Sequence, residues 1–135
     1  NDGQTTTTSG TYIEDYIPKP YIYGINDELL QLNTGSCYDY PGADPYPGSV
    51  FGINFNYEDP DGDAHKSDGA RVNVGWDNTT WSTFDGNGYS GSIQTRVCFN
   101  FGSSSSRTFT VYLQDAAGNR SNSRMITIDR PSGAN

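Results

Sequence analysis

Between Val50 and Tyr57 the chain reads Val-Phe-Gly-Ile-Asn-Phe-Asn-Tyr, so that Phe51, Ile53, Phe55 and Tyr57 alternate with Gly52, Asn54 and Asn56. Successive side chains point to opposite faces of a strand, and an apolar period of two therefore requires a strand buried on one side. The same alternation returns in Val72, Val74 and Trp76, in Ile93, Val97, Phe99 and Phe101, in Phe109, Val111 and Leu113, and in Ile126 and Ile128. Half-buried strands separated by Gly-, Asn- and Asp-rich turns predict an all-β chain whose antiparallel sheets pack as a β-sandwich. The only departure is a short helical turn expected around Asp27 to Leu32.

A chain of 135 residues suits one domain around one core. Only 33% of residues are hydrophobic, yet 13% are aromatic, so large rings must supply much of that core. A net charge of -8 repels a phosphate backbone and argues against nucleic acid. No run approaches the ~20 apolar residues needed to span a bilayer, and Asn1 is expected to be a mature or trimmed start. The organisation predicted is an N-terminal arm over residues 1–25, a sandwich over 26–131 and a tail over 132–135. Pro18 and Pro20 delete ladder donors in the arm and suit it to a sheet edge. Residues 33–49 hold Gly35, Pro41, Gly42, Pro45, Pro47 and Gly48 among Tyr38, Tyr40 and Tyr46 and predict a long structured loop.

The two cysteines, Cys37 and Cys98, show no CxxC spacing, and His65 is the single histidine. A disulfide is the leading reading against two separate buried thiols. Cys98 lies between the inward Val97 and Phe99 and so points outward with Gln94, Arg96 and Asn100. The bond would fasten the 33–49 loop to the outside of a sheet and implies an oxidising, extracellular compartment.

Two loop motifs carry a family resemblance: Tyr57-Glu58-Asp59-Pro60-Asp61-Gly62-Asp63-Ala64, and Gln114-Asp115-Ala116-Ala117-Gly118-Asn119. Over residues 50–130 the chain resembles the bacterial immunoglobulin-like and cadherin-like β-sandwich domains of secreted and cell-surface proteins. That resemblance implies an immunoglobulin-like antiparallel β-sandwich, here with an extended N-terminal arm and a disulfide-tethered loop added to it. It says little of function, since such modules serve as spacers, adhesins and fibre subunits.

Asp59, Asp61 and Asp63 stand at alternate positions around a turn at Gly62 and offer hard oxygens suited to Ca²⁺. In a sandwich the loop joining the last two strands reaches the same end, which brings Asp115 and Asn119 toward them. The alternative is a Pro60-Gly62 turn whose aspartates face water; both readings stand at this point.

No Gly-x-Ser-x-Gly elbow or phosphate-binding fingerprint occurs, and His65 sits in an Asp-rich loop without a nucleophile beside it. The expectation is a non-enzymatic protein. Three roles compete. A surface-fibre subunit would self-associate into a homopolymer through the arm, with Ile13, Ile17, Tyr21 and Tyr23 as apolar anchors in a neighbouring copy. An adhesion module would stack polysaccharide on Tyr38, Tyr40, Tyr46 or Trp81. A third possibility is a Ca²⁺-stiffened spacer. The arm can equally be the first edge strand of its own sandwich.

Overall fold

A computed structural model describes residues 19–38, 42–75 and 81–135. Seven strands are described: β1 (Tyr21–Cys37), β2 (Tyr46–Glu58), β3 (Arg71–Val74), β4 (Trp81–Gly86), β5 (Ser90–Phe99), β6 (Ser106–Gln114) and β7 (Arg124–Asp129). They form two antiparallel sheets, ordered β1-β2-β5-β4 and β3-β6-β7.

The alternation that opens β2 does what its period demands. Phe51, Ile53, Phe55 and Tyr57 are each at most 2% exposed, and one such side chain buried contributes about 1.5–3 kcal/mol. They share a core with Val72 and Val74 of β3, Ile93 and Phe99 of β5, Phe109, Val111 and Leu113 of β6, and Ile126 and Ile128 of β7. At one end the rings of Phe51, Phe101 and Phe109 surround Phe99, with centroids 5.3, 4.9 and 5.2 Å from it. Offset and edge-to-face contacts of this kind add to the area term.

Two expectations about the elements are corrected by this structure, and one strand was not foreseen. The helical turn around Asp27 to Leu32 is strand, in β1, because Asp27, Glu28 and Leu29 pair with Ile53, Gly52 and Phe51 of β2. Backbone pairing to an established strand outweighs the weak helical preference of Asp-Glu-Leu-Leu-Gln-Leu. Residues 33–49 are not one long loop, since β1 runs to Cys37 and β2 starts at Tyr46. Pro47 is accommodated at the irregular end of that ladder, where the register shifts between Thr34 and Cys37, as the missing donor requires. Finally, β4 was not foreseen: among its described side chains only Ser82 and Phe84 are not exposed, too few to announce a period.

The expected boundary between arm and sandwich falls inside β1. Tyr21, Ile22 and Tyr23 pair with Glu58, Tyr57 and Asn56 of the same chain, and Ile22 is fully buried. Ile13, Ile17, Tyr40, Trp76 and the Trp81 side chain lie outside what the structure describes. The expected tail is docked: Ala134 is 4% exposed in the core, the Phe101 N–H donates to the Asn135 carbonyl at 2.8 Å, and Arg130 donates twice to the Ala134 carbonyl.

Cys37 and Cys98 are disulfide-bonded, with Cα atoms 5.3 Å apart. The bond joins the last residue of β1 to β5 and passes over β2 between them. Gly48 of β2 makes that crossing possible, because a Cβ there would lie 2.6 Å from Cys37 Sγ and 2.6 Å from the Phe99 carbonyl oxygen. Gly48→Ala is accordingly expected to lower stability by about 2–3 kcal/mol through overpacking, read as a shifted urea midpoint at unchanged slope.

Candidate metal centre

The loop after β2 turns sharply at Asp59-Pro60-Asp61-Gly62. Gly62 takes the left-handed conformation with φ 73°, and its N–H donates to the Asp59 carbonyl at 3.1 Å. A side chain at Gly62 would also strike the ring of Tyr89, which lies over the turn. The β4–β5 connection holds the loop from that side, since Asp59 N–H donates to the Tyr89 carbonyl at 2.7 Å and Ala64 N–H to the Gly88 carbonyl at 3.3 Å. From the other side the β6–β7 connection closes in. Ala117 N–H donates to Asp63 Oδ2 at 3.1 Å, and Ala116 N–H to the Asp63 carbonyl at 3.3 Å.

These contacts bring together Asp59, Asp61, Asp63 and Asp115, each offering a carboxylate oxygen within 4.8 Å of the others. Oxygens bound about 2.4 Å from one ion are at most about 4.8 Å apart, so the cluster has the size of a Ca²⁺ coordination shell. Asp59 and Asp115 are 1% and 2% exposed. Asp61 is exposed and Asp63 intermediate, which gives the cluster one open side. Asp63 Oδ1 is buried without a hydrogen-bond partner, a costly state for an acceptor that a cation would relieve.

Some of the carboxylate capacity is already used. Asp59 accepts from Asp61 N–H at Oδ1 and from Asp63 N–H at Oδ2. Burial pushes the Asp59 carboxyl up to about 6, helped by a hydrogen bond with Asp63 and by the charges of Asp63 and Asp115, against an opposing hydrogen bond from the Asp61 backbone. The neighbouring charges that oppose ionisation of Asp59 are those of Asp63 and Asp115, and a divalent ion is the species that reverses this.

Of the residues expected here from sequence, Asp59, Asp61, Asp63 and Asp115 do converge. Asn119 takes another part: its backbone N–H donates to Asp115 Oδ1 at 2.7 Å and its side-chain amide to Asp115 Oδ2 at 3.4 Å. It orients Asp115 toward the cluster. Tyr89 and Asp63 Oδ1 had no sequence signal, since covering a turn and losing a partner are both through-space properties. His65 caps the short 3-10 turn Lys66–Asp68, its ring accepting from Ser67 N–H.

Of the aromatic set expected to stack sugar, Tyr38 and Tyr46 are described, while Tyr40 and the Trp81 side chain lie outside the described residues. Tyr38 is 54% exposed, whereas Tyr46 donates its hydroxyl to the Cys98 carbonyl at 3.3 Å. The stacked exposed rings are instead Tyr21 and Tyr23, 5.9 Å apart at the head of β1. No protein-family model, curated protein or solved structure matches the chain, so the reading rests on this geometry.

Proposed function

We propose that this chain is a non-enzymatic extracellular structural protein, a subunit of a surface filament joined by strand exchange, with a Ca²⁺ ion tying its loop end. The observation that carries the reading is β1. Among the described strands it ends the order of its sheet, runs for 17 residues, and leaves Leu29, Leu30 and Leu32 at 44%, 39% and 44% exposure. An edge of that length and character invites another strand unless something covers it. The disulfide supports an oxidising compartment. The acidic cluster supports a cation at the end where the loops after β2, β4 and β6 meet, stiffening the module against tension along a fibre. No helix among the described residues is long and apolar enough to cross a membrane.

The stacked Tyr21–Tyr23 pair favours a second reading, adhesion to polysaccharide through an exposed ring surface. The two are separated by particle size. Purified chain, oxidised and in millimolar Ca²⁺, is expected to form particles that grow with concentration in sedimentation velocity and lengthen into filaments in electron micrographs. A strictly monomeric chain up to millimolar concentration overturns the filament reading.

A further inference from the structure

Resting on that filament reading, we infer that the acceptor is the edge of β1 from Tyr23 to Leu32, which no described strand pairs, and that the strand it receives is the segment around Tyr12–Ile17 of a second copy. Both ends of this edge carry contacts to other parts of the chain. At the N-terminal end the Asn122 side chain binds both main-chain groups of Ile22, accepting from its N–H at 2.8 Å and donating to its carbonyl at 3.1 Å. A carboxamide in that position imitates one rung of a neighbouring strand. At the C-terminal end the Asn33 side chain donates to the Gly133 carbonyl at 2.7 Å and accepts from the Asn135 N–H at 2.8 Å, so the C-terminal segment lies against the strand there. Between them runs a stretch of about 33 Å, bearing Leu29 on the face of Phe51 and Leu30 beside Gly52 on the other.

The occupant follows from where the chain leaves the described structure. Residues 1–18 lead directly into Lys19 and the head of β1. To lie beside its own β1 this segment would have to reverse within Pro18-Lys19-Pro20, and the first rung it would meet, at Ile22, is taken by Asn122. Two prolines and a filled rung oppose that hairpin. A second copy presents the same edge without the reversal. The run Tyr12-Ile13-Glu14-Asp15-Tyr16-Ile17 spans about 20 Å extended, which fits within the open stretch, and its apolar residues suit the exposed leucines.

The other edges suit it less. β3 has 4 residues and β4 has 6, while β7 exposes Arg124 and Thr127. Acidic groups on both partners, Glu14 and Asp15 against Asp27 and Glu28, make the pairing stronger as salt screens them.

The test uses two variants of the full chain. Leu30→Lys alters the acceptor at an exposed position and is expected to keep the wild-type melting temperature. Ile13→Asp with Ile17→Asp alters the donor. Each alone is expected to remain monomeric where wild type polymerises, with association weakened at least tenfold. Mixed together they are expected to give one-to-one dimers that grow no further, because one partner retains a donor and the other an acceptor. Higher salt should promote both the wild-type polymer and the mixed dimer. If the Leu30→Lys chain polymerises like wild type, the β1 edge is not the acceptor although the filament reading survives. If the mixture stays monomeric while wild type polymerises, pairing of this donor with this edge is overturned. If wild type itself never associates, both fail.

Discussion

Replacing both cysteines by serine is expected to lower the stability of the oxidised chain by up to about 4 kcal/mol, from the entropy regained when a loop of 61 residues is opened in the unfolded state. For a domain of this size that corresponds to roughly 10–20 °C in melting temperature. The folded state loses something as well. Cys37 is fully buried at the end of β1, and the register between β1 and β2 shifts three times between Leu29 and Cys37. This half of the strand pairs irregularly and depends on the bond to stay against the sheet. Hydrogen exchange should therefore quicken first in residues 31–37 of the reduced chain, before the β2–β5 ladder, which is unbroken from Ser49–Phe99 to Glu58–Ser90. Equal protection across β1 and β5 after reduction would show that the disulfide acts on the unfolded state alone.

The same strand marks where sequence reading reaches its limit. β2 was legible because four large apolar side chains at period two admit one buried face and no other regular structure. Cys98 was legible for the same reason, its direction following from its neighbours Val97 and Phe99. The meeting of Asp59, Asp61 and Asp63 with Asp115 was legible once two loops were assigned to one end of a sandwich. β1 was legible only at its head, where the prolines suited the arm to a sheet edge; the rest was not, because Leu29, Leu30 and Leu32 follow neither period. As an edge strand half out of the core it takes its conformation from β2 and not from its own pattern. Asn122 and Asn33 were equally silent: each acts on main-chain groups about 100 residues away, and nothing local distinguishes them from other turn asparagines.

Asp59→Asn is expected to remove most of the response of stability to Ca²⁺ and the part of the pH response that Asp59 carries. A carboxyl raised from 3.8 to about 6 on folding holds its proton more tightly in the folded state. Its contribution to stability is thus greatest below about pH 4, declines as pH rises toward 6 and is lost above that, a difference of roughly 3 kcal/mol. At neutral pH without divalent ions the wild-type chain holds a buried carboxylate against its neighbours, and removing that charge should leave the variant at least as stable. An asparagine oxygen still accepts one of the backbone bonds from Asp61 and Asp63, while its amide can donate to the Asp63 carboxylate. With Ca²⁺ the order reverses. An ion at 100 times its dissociation constant adds about 2.7 kcal/mol to a folded state that alone binds it, or roughly 10 °C here. The variant, short of one anionic ligand, should gain little. The experiment is a set of four melting curves for each chain, at pH 4.5 and 7.5, in chelator and in millimolar Ca²⁺, with Mg²⁺ as the competing hard ion. Wild type should melt lower at pH 7.5 than the variant in chelator and higher in Ca²⁺, and Mg²⁺ should substitute poorly because its small octahedral shell resists four partly fixed carboxylates. Wild-type curves at pH 7.5 that coincide in chelator and Ca²⁺ would reduce the cluster to a turn held by its own backbone bonds.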